Sequence, residues 1–187
     1  MTASTAGDPS RLAAVPATPD HAAIGRVVDA AAKKGVDLDV VVFDESTHTA
    51  AEAARAVQAE LGQIVKSLVF VLPRDDAEPE PVVVLVSGPN RVDVPRLAAV
   101  LGRADVRRAT AKEADALTGF TIGGIPPFGH DRRLRVIMDP DLGRFETVWA
   151  AAGLPNAVFP VSPSTLRMLA DAHVAPIAEE PPVERAS

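Results

Sequence analysis

The chain has 187 residues, 47% of them hydrophobic, carries a formal net charge of −6 and contains no cysteine. The length suits one domain with a real core, and with six Phe, one Trp and no Tyr that core must be filled by Val, Leu, Ile and Ala. Lack of cysteine excludes disulfides, thiol catalysis and cysteine-ligated zinc, and the acidic balance argues against strong non-specific nucleic-acid binding.

In chain order, residues 1–17 are rich in Ala, Thr, Ser and Pro without apolar periodicity, which predicts a disordered N-terminal segment ahead of one domain over 18–178. Thr18-Pro19 reads as the start of a helix running to Lys34 and stopped by Gly35. Leu38–Phe43 is a β-rich run. Thr49-Ala-Ala-Glu52 is a capping-box pattern that opens an alanine-rich helix ending near Gly62. Gln63–Leu72 and Pro81–Val86 are apolar strands joined by an acidic hairpin loop. Ser87–Asn90 is a turn, and Asp93 with Pro95 starts a helix that Gly102 ends. Val106–Ala109 is a short strand. Thr110–Glu113 is a second capping box, whose helix stops at Gly119. Leu134–Met138 is a strand, 140–152 is read as mixed turn and helix, and Ala157–Val161 is another strand. Ser162-Pro163 begins a last helix, Val174–Ile177 adds an edge strand, and 179–187 is a flexible tail. No secretory signal is visible, and the longest apolar runs are strand-sized, so the expectation is a cytoplasmic protein without a membrane span. The mixture of strands and helices without strict alternation predicts an α/β (α+β) class fold with a mixed sheet flanked by helices.

Two stretches stand out chemically. In Thr118–His130, four glycines and two prolines fall within thirteen residues. Gly123 and Gly124 can adopt positive φ and leave their N–H groups uncovered, while Pro126 and Pro127 stiffen the chain. The stretch is either an ordinary tight connection or a loop presenting backbone donors to an oxyanion, carboxylate or phosphate. The second is Gln63–Leu72, in which both strand faces are apolar except for Lys66 and Ser67. A lysine there either snorkels to solvent or points into a polar cavity, where it would hold a phosphate or a developing oxyanion. Residues 90–135 add a basic excess, nine Lys/Arg against five acids, which either forms a solvated face or flanks a site. His21, His48, His130 and His173 have no ligand spacing, so no metal and no cofactor is expected.

With Lys66 in GQIVKSLVF and the stretch TGFTIGGIPPFGH together, the chain resembles the YbaK/prolyl-tRNA synthetase-associated domain family, whose members are trans-editing aminoacyl-tRNA deacylases. The resemblance spans about residues 21–178 and includes FDESTHTAAEAA, VSGPNRVD and NAVFPVSPSTL. It implies a mixed, strongly curved central sheet with helices around it. It further implies hydrolysis of the ester joining a wrong amino acid to the 3′ end of tRNA, with prolyl-tRNA synthetase as a potential partner. Lys66 would be the critical side chain, and Gly123–Pro127 would hold the ester carbonyl through the amides of Gly123, Gly124 or Ile125. Pro126, Pro127, Phe128 and Gly129 would border the substrate. Thr47, His48, Phe43 and Ser87, at strand ends, are candidates for the pocket lining, and His130 either borders the amino-acid pocket or caps the loop. The competing reading is a non-catalytic module that binds an aminoacyl or nucleotide ligand in the same cleft.

Overall fold

A computed structural model describes residues 22–44, 49–75 and 77–180. Helix α1 (Ala22–Ala32) buries Ile24, Val27 and Ala31, whose spacing places them on one helical face. Strand β1 is only Val41–Val42, shorter than the β-rich run around it. Helix α2 (Ala50–Ala56) carries the expected capping box: the Glu52 amide donates to Thr49 Oγ1 at 3.2 Å, and the Thr49 amide donates to Glu52 Oε2 at 3.1 Å. It ends earlier than its composition suggests, because Gln58 turns to φ 55° and the chain re-enters a separate 3-10 turn at Leu61–Gln63.

Strands β2 (Val65–Leu72) and β3 (Glu80–Ser87) form the predicted antiparallel hairpin, in register from Val65↔Ser87 to Leu72↔Glu80. Helix α3 (Val94–Leu101) starts on Asp93, whose carboxylate accepts from the Arg96 amide, and ends on left-handed Gly102. Then come β4 (Arg107–Arg108) and α4 (Ala111–Thr118), the latter capped by Thr110 and Glu113 and ended by Gly119 at φ 71°. After the Gly/Pro loop lie β5 (Arg135–Met138), a 3-10 turn over Pro140–Arg144, β6 (Val148–Ala151), β7 (Ala157–Val161), α5 (Pro163–Ala170) and β8 (His173–Val174).

Strand β6 corrects the sequence reading of 140–152 as turn and helix. It is an antiparallel partner of β7, and its edge role depends on pairing that local pattern does not reveal. The strands form a mixed five-stranded sheet, β4-β2-β3-β5-β8, and an antiparallel three-stranded sheet, β1-β7-β6. The two meet where Ile64, just before β2, bridges Trp149 on β6.

Both faces of β2 and β3 are covered, as an interior hairpin requires. Val65, Val69, Val71, Val83 and Leu85 pack with Ile24, Val27, Phe159 and Leu166. Phe70, Leu72, Val82, Val84 and Val86 pack with Leu97 and Ile177 on the opposite side. Burying each such side chain contributes roughly 1.5–3 kcal/mol. Among the described residues, no helix is long and apolar enough to cross a membrane.

Candidate active site

A cavity of about 240 Å³ opens beside the first half of β2. Strand β3 covers one edge of β2 along its whole length, but β4 covers the other edge only at Phe70 and Val71. Between that pairing and the Ile64–Trp149 bridge, no described strand lies across the edge. The Ala109 amide donates to the Val69 carbonyl at 3.0 Å, so Val69 directs its backbone polar groups away from β3. The two-residue period of a strand gives Ser67 the same direction, toward the cavity. Ser67 Oγ is itself buried without a hydrogen-bond partner among the described residues.

Because the cavity wraps this open edge, it is lined from both faces of the strand. Val65, Ser67 and Val69 come from one face, along with Ile125, and Lys66 and Leu68 come from the other, along with Arg108. Ala53 of α2, Ala151 of β6 and Val158 of β7 form an apolar wall, and Ile122 and Gly123 of the Gly/Pro loop also reach it. Lys66 and Gly123, picked out separately in the sequence, therefore line one hollow.

The Lys66 ammonium donates to the main-chain carbonyl of Asn90 at 2.5 Å. No described carboxylate lies within ion-pair distance of it. Burial lowers its pKa from the ordinary lysine value, and the positive fields of Arg108 and then Arg91 lower it further. Arg108 keeps a solvent-facing surface, but its guanidinium lies 5.5 Å from the Phe70 ring centre and partial burial lowers its pKa as well.

The Gly/Pro loop is rigidly held. Gly123, at φ 92°, is the third residue of a turn closed by the Gly124 amide donating to the Thr121 carbonyl at 2.9 Å. Gly124 is therefore not an available donor, which corrects one of the three candidates: its N–H is consumed by the turn that shapes the loop. The amides of Gly123 and Ile125 make no hydrogen bond with any described residue. Gly124 has no room for a side chain either, since an added Cβ would lie 2.7 Å from the Leu154 backbone. Pro126, Pro127 and Phe128 are buried, and Phe128 packs edge-on against Phe159 in the core.

The remaining sequence candidates separate. Pro127, Phe128, Gly129 and His130 line a different depression, behind the loop. The His130 ring nitrogens are buried near the carbonyls of Thr118 and Pro126 without a hydrogen bond of normal geometry, and its ring meets Phe120 edge-on at 5.6 Å. Burial lowers its pKa to about 4, so it is neutral at physiological pH. Of the two readings for His130, the structure thus places it behind the loop. Ser87 does not line the cavity: it is fully buried and donates to the Gly62 carbonyl at 2.6 Å, tying the end of β3 to the turn before β2. Phe43 packs in a small cluster with Ala53 and Val158, behind the apolar wall. Thr47 and His48 lie outside the described residues.

Asp139, at the end of β5, is structural. It is 2% exposed and accepts from the amides of Asp141, Ile177 and Ala178 at 3.0, 3.0 and 2.9 Å. No group of three His, Asp or Glu among the described residues is arranged to hold a metal ion. Sequence reading missed Asn90 and Arg108 as site residues. Asn90 acts through its backbone, which no side-chain pattern announces. Arg108 was one of nine basic residues in a stretch, and only its pairing opposite Phe70 sets it apart.

The profile of the aminoacyl-tRNA editing domain matches residues 44–169. The chain is 30% identical over 134 residues to the multifunctional Ser/Thr-tRNA deacylase ProXp-y of Escherichia coli (strain K12), covering 69% of this chain and 77% of that protein. It is 30% identical over 95 residues to the proline–tRNA ligase of Limosilactobacillus fermentum, spanning 17% of that much longer enzyme. Its fold superposes on the crystal structure of a candidate trans-editing enzyme for prolyl tRNA synthetase with a TM-score of 0.77 and 43% identity, over 86% of this chain and 99% of the other.

Proposed function

This chain belongs to the aminoacyl-tRNA editing domain family, and from that premise we propose that it is a cytoplasmic, freestanding deacylase that hydrolyses the ester of tRNA(Pro) mischarged with a small amino acid. One observation carries the reading: the Lys66 strand and the Gly123–Ile125 turn line the same cavity, one contributing a positive charge and the other two unused backbone donors. A hollow of about 240 Å³ with an alanine-rich wall suits a short acyl side chain.

The chemistry follows from those parts. Water attacks the ester carbonyl carbon, and the negative charge that develops on its oxygen meets the N–H groups of Gly123 and Ile125. Removing one such donor from an oxyanion site typically costs about 10²–10³ in rate. The tetrahedral intermediate collapses with cleavage of the bond to the ribose oxygen, which leaves with a proton, releasing free amino acid and tRNA. Lys66 holds the terminal nucleotide, so that the ester is delivered to the turn in a fixed orientation. No Asp, Glu or His is among the described residues lining the cavity, and the substrate's own ribose hydroxyl is placed to relay the proton from the attacking water.

The lack of a base among the described lining residues also motivates the second reading, a module that binds the acylated end without cleaving it. Purified protein is assayed against tRNA(Pro) carrying alanine, cysteine, serine or threonine. Turnover of at least one, lost in Lys66→Ala with an unchanged melting temperature, supports the deacylase. Binding of all with turnover of none supports the module, and full activity in Lys66→Ala removes the proposed role of the lysine.

A further inference from the structure

The basic excess of residues 90–135 is mostly neutralised in the fold. Arg96 pairs with Asp93 and Glu180, Arg103 with Asp105, and Arg107 with Glu113. Arg132 pairs with Glu78, Arg133 with Asp171, and Arg135 with Glu80. Arg91, Arg108 and Lys112 have no described carboxylate within ion-pair distance. Two of those three, Arg91 and Arg108, are the cations whose fields act on Lys66.

Lys66 and Arg108, two like charges lining a partly desolvated cavity with no described carboxylate within ion-pair distance, are unfavourable side by side in the empty protein. An anion bound between them relieves that repulsion. Lys66 and Arg108 emerge on the same side of the sheet, since Arg108 is registered opposite Phe70 and Phe70 shares a strand face with Lys66. Both line the cavity. The Asn90 carbonyl occupies one of the three ammonium donors of Lys66, leaving two for a ligand, and the Arg108 guanidinium offers a planar fork suited to two oxygens of one phosphate.

We propose that Arg108 is a positioning residue that grips, together with Lys66, a phosphodiester of the RNA 3′ end. The proposal deepens the deacylase reading and rests on it for the identity of the RNA. The substrate then lies along the open edge of β2, with its phosphate against Lys66 and Arg108, its ester toward Gly123 and its acyl group toward the apolar wall. Its ester lies where no described strand borders β2.

The test titrates a hairpin RNA ending in CCA against wild type, Arg108→Gln and Lys112→Gln over a series of salt concentrations, with melting temperatures as the check on folding. Lys112 is exposed, unpaired and nearby in sequence, yet off the cavity, so it controls for net charge. Arg108→Gln should weaken binding roughly tenfold or more and flatten the dependence on salt by about one ion. Lys112→Gln should do neither. Arg108→Lys, which keeps the charge and loses the fork, should fall between them, and it decides the matter if the glutamine variant does not fold. In parallel, Arg108→Gln should lose markedly less rate on aminoacyl-adenosine, which lacks the phosphate, than on the aminoacylated RNA. Unchanged RNA binding, equal losses in Arg108→Gln and Lys112→Gln, equal losses on both substrates, or no RNA binding by wild type at any salt each overturn the proposal. Wild type that binds RNA through Arg108 but hydrolyses nothing leaves the grip standing and sinks the deacylase.

Discussion

Arg26 reaches from α1 across the base of the Gly/Pro loop to Asp131, 2.9 Å from Nη1, while its Nη2 donates to the Gly119 carbonyl at 2.6 Å. The same guanidinium lies 3.9 Å from the centre of the Phe120 ring. One side chain thus ties together the two ends of the loop that carries Gly123. Arg26→Ala should lower stability by about 1.5–3 kcal/mol, the range for hydrogen bonds to a charged group. It should also reduce deacylation more than binding of uncharged tRNA, because the turn loses its fixed position. Thermal melts and a comparison of kcat with the RNA dissociation constant check both.

Gly124→Ala should be costly although the added group is one methyl. The new Cβ would meet the Leu154 backbone at 2.7 Å, and overpacking of this kind typically costs about 1–3 kcal/mol. Gly143→Ala, where a Cβ meets nothing within 4 Å, serves as the control. Chemical denaturation and initial rates should show the first variant impaired in both and the second close to wild type.

His130 makes stability depend on pH. Its folded pKa, about 4, lies below the ordinary 6.5, so between those values the unfolded chain binds a proton that the native protein does not. Stability is therefore full above about pH 6.5 and falls as the pH drops toward 4. The loss is about 3 kcal/mol at most, since each tenfold change in proton affinity corresponds to about 1.4 kcal/mol. His130→Phe removes this contribution, so the difference in unfolding free energy between variant and wild type should move in favour of the variant on acidification. Urea melts at a series of pH values measure it.

The Lys66 amine should titrate below the free-lysine value of 10.5, because burial and the nearby arginines both disfavour its charge. Arg108→Gln removes one of those positive fields and should raise the midpoint. Observing the side-chain nitrogen by NMR through an alkaline titration reads both changes, and an unmoved midpoint in the variant would separate the two side chains.

Local chemistry was the most legible part of this protein. Thr49 with Glu52, Thr110 with Glu113, and Ser162 with Pro163 each start a helix where the sequence places one, since a cap is made by residues close along the chain. The β2–β3 hairpin was equally plain, its length and apolarity leaving little else for it to be. Strand β6 was hidden because Trp149 and its neighbours gain strand geometry from β7 and Ile64 rather than from their own pattern. The site was legible in Lys66 and Gly123 but not in which amides of the turn stay free. That depends on Gly124 closing the turn on Thr121, a backbone bond that any residue with an N–H could make. The arginines resisted sequence reading for a related reason: all carry the same charge, and only the fold decides which find a carboxylate.

The seam at Ile64 and Trp149 divides the labour of the cavity between two pieces of scaffold. Lys66 and Arg108 belong to the five-stranded sheet, whereas Ala151 and Val158 belong to the three-stranded one and Ala53 to the helix beside it. On the proposed deacylase reading, substitutions at Ala53, Ala151 and Val158 should alter the room left for the acyl group without disturbing Lys66 and Arg108. A scaffold partitioned in this way can be retuned from one amino acid to another by a few changes on a single wall.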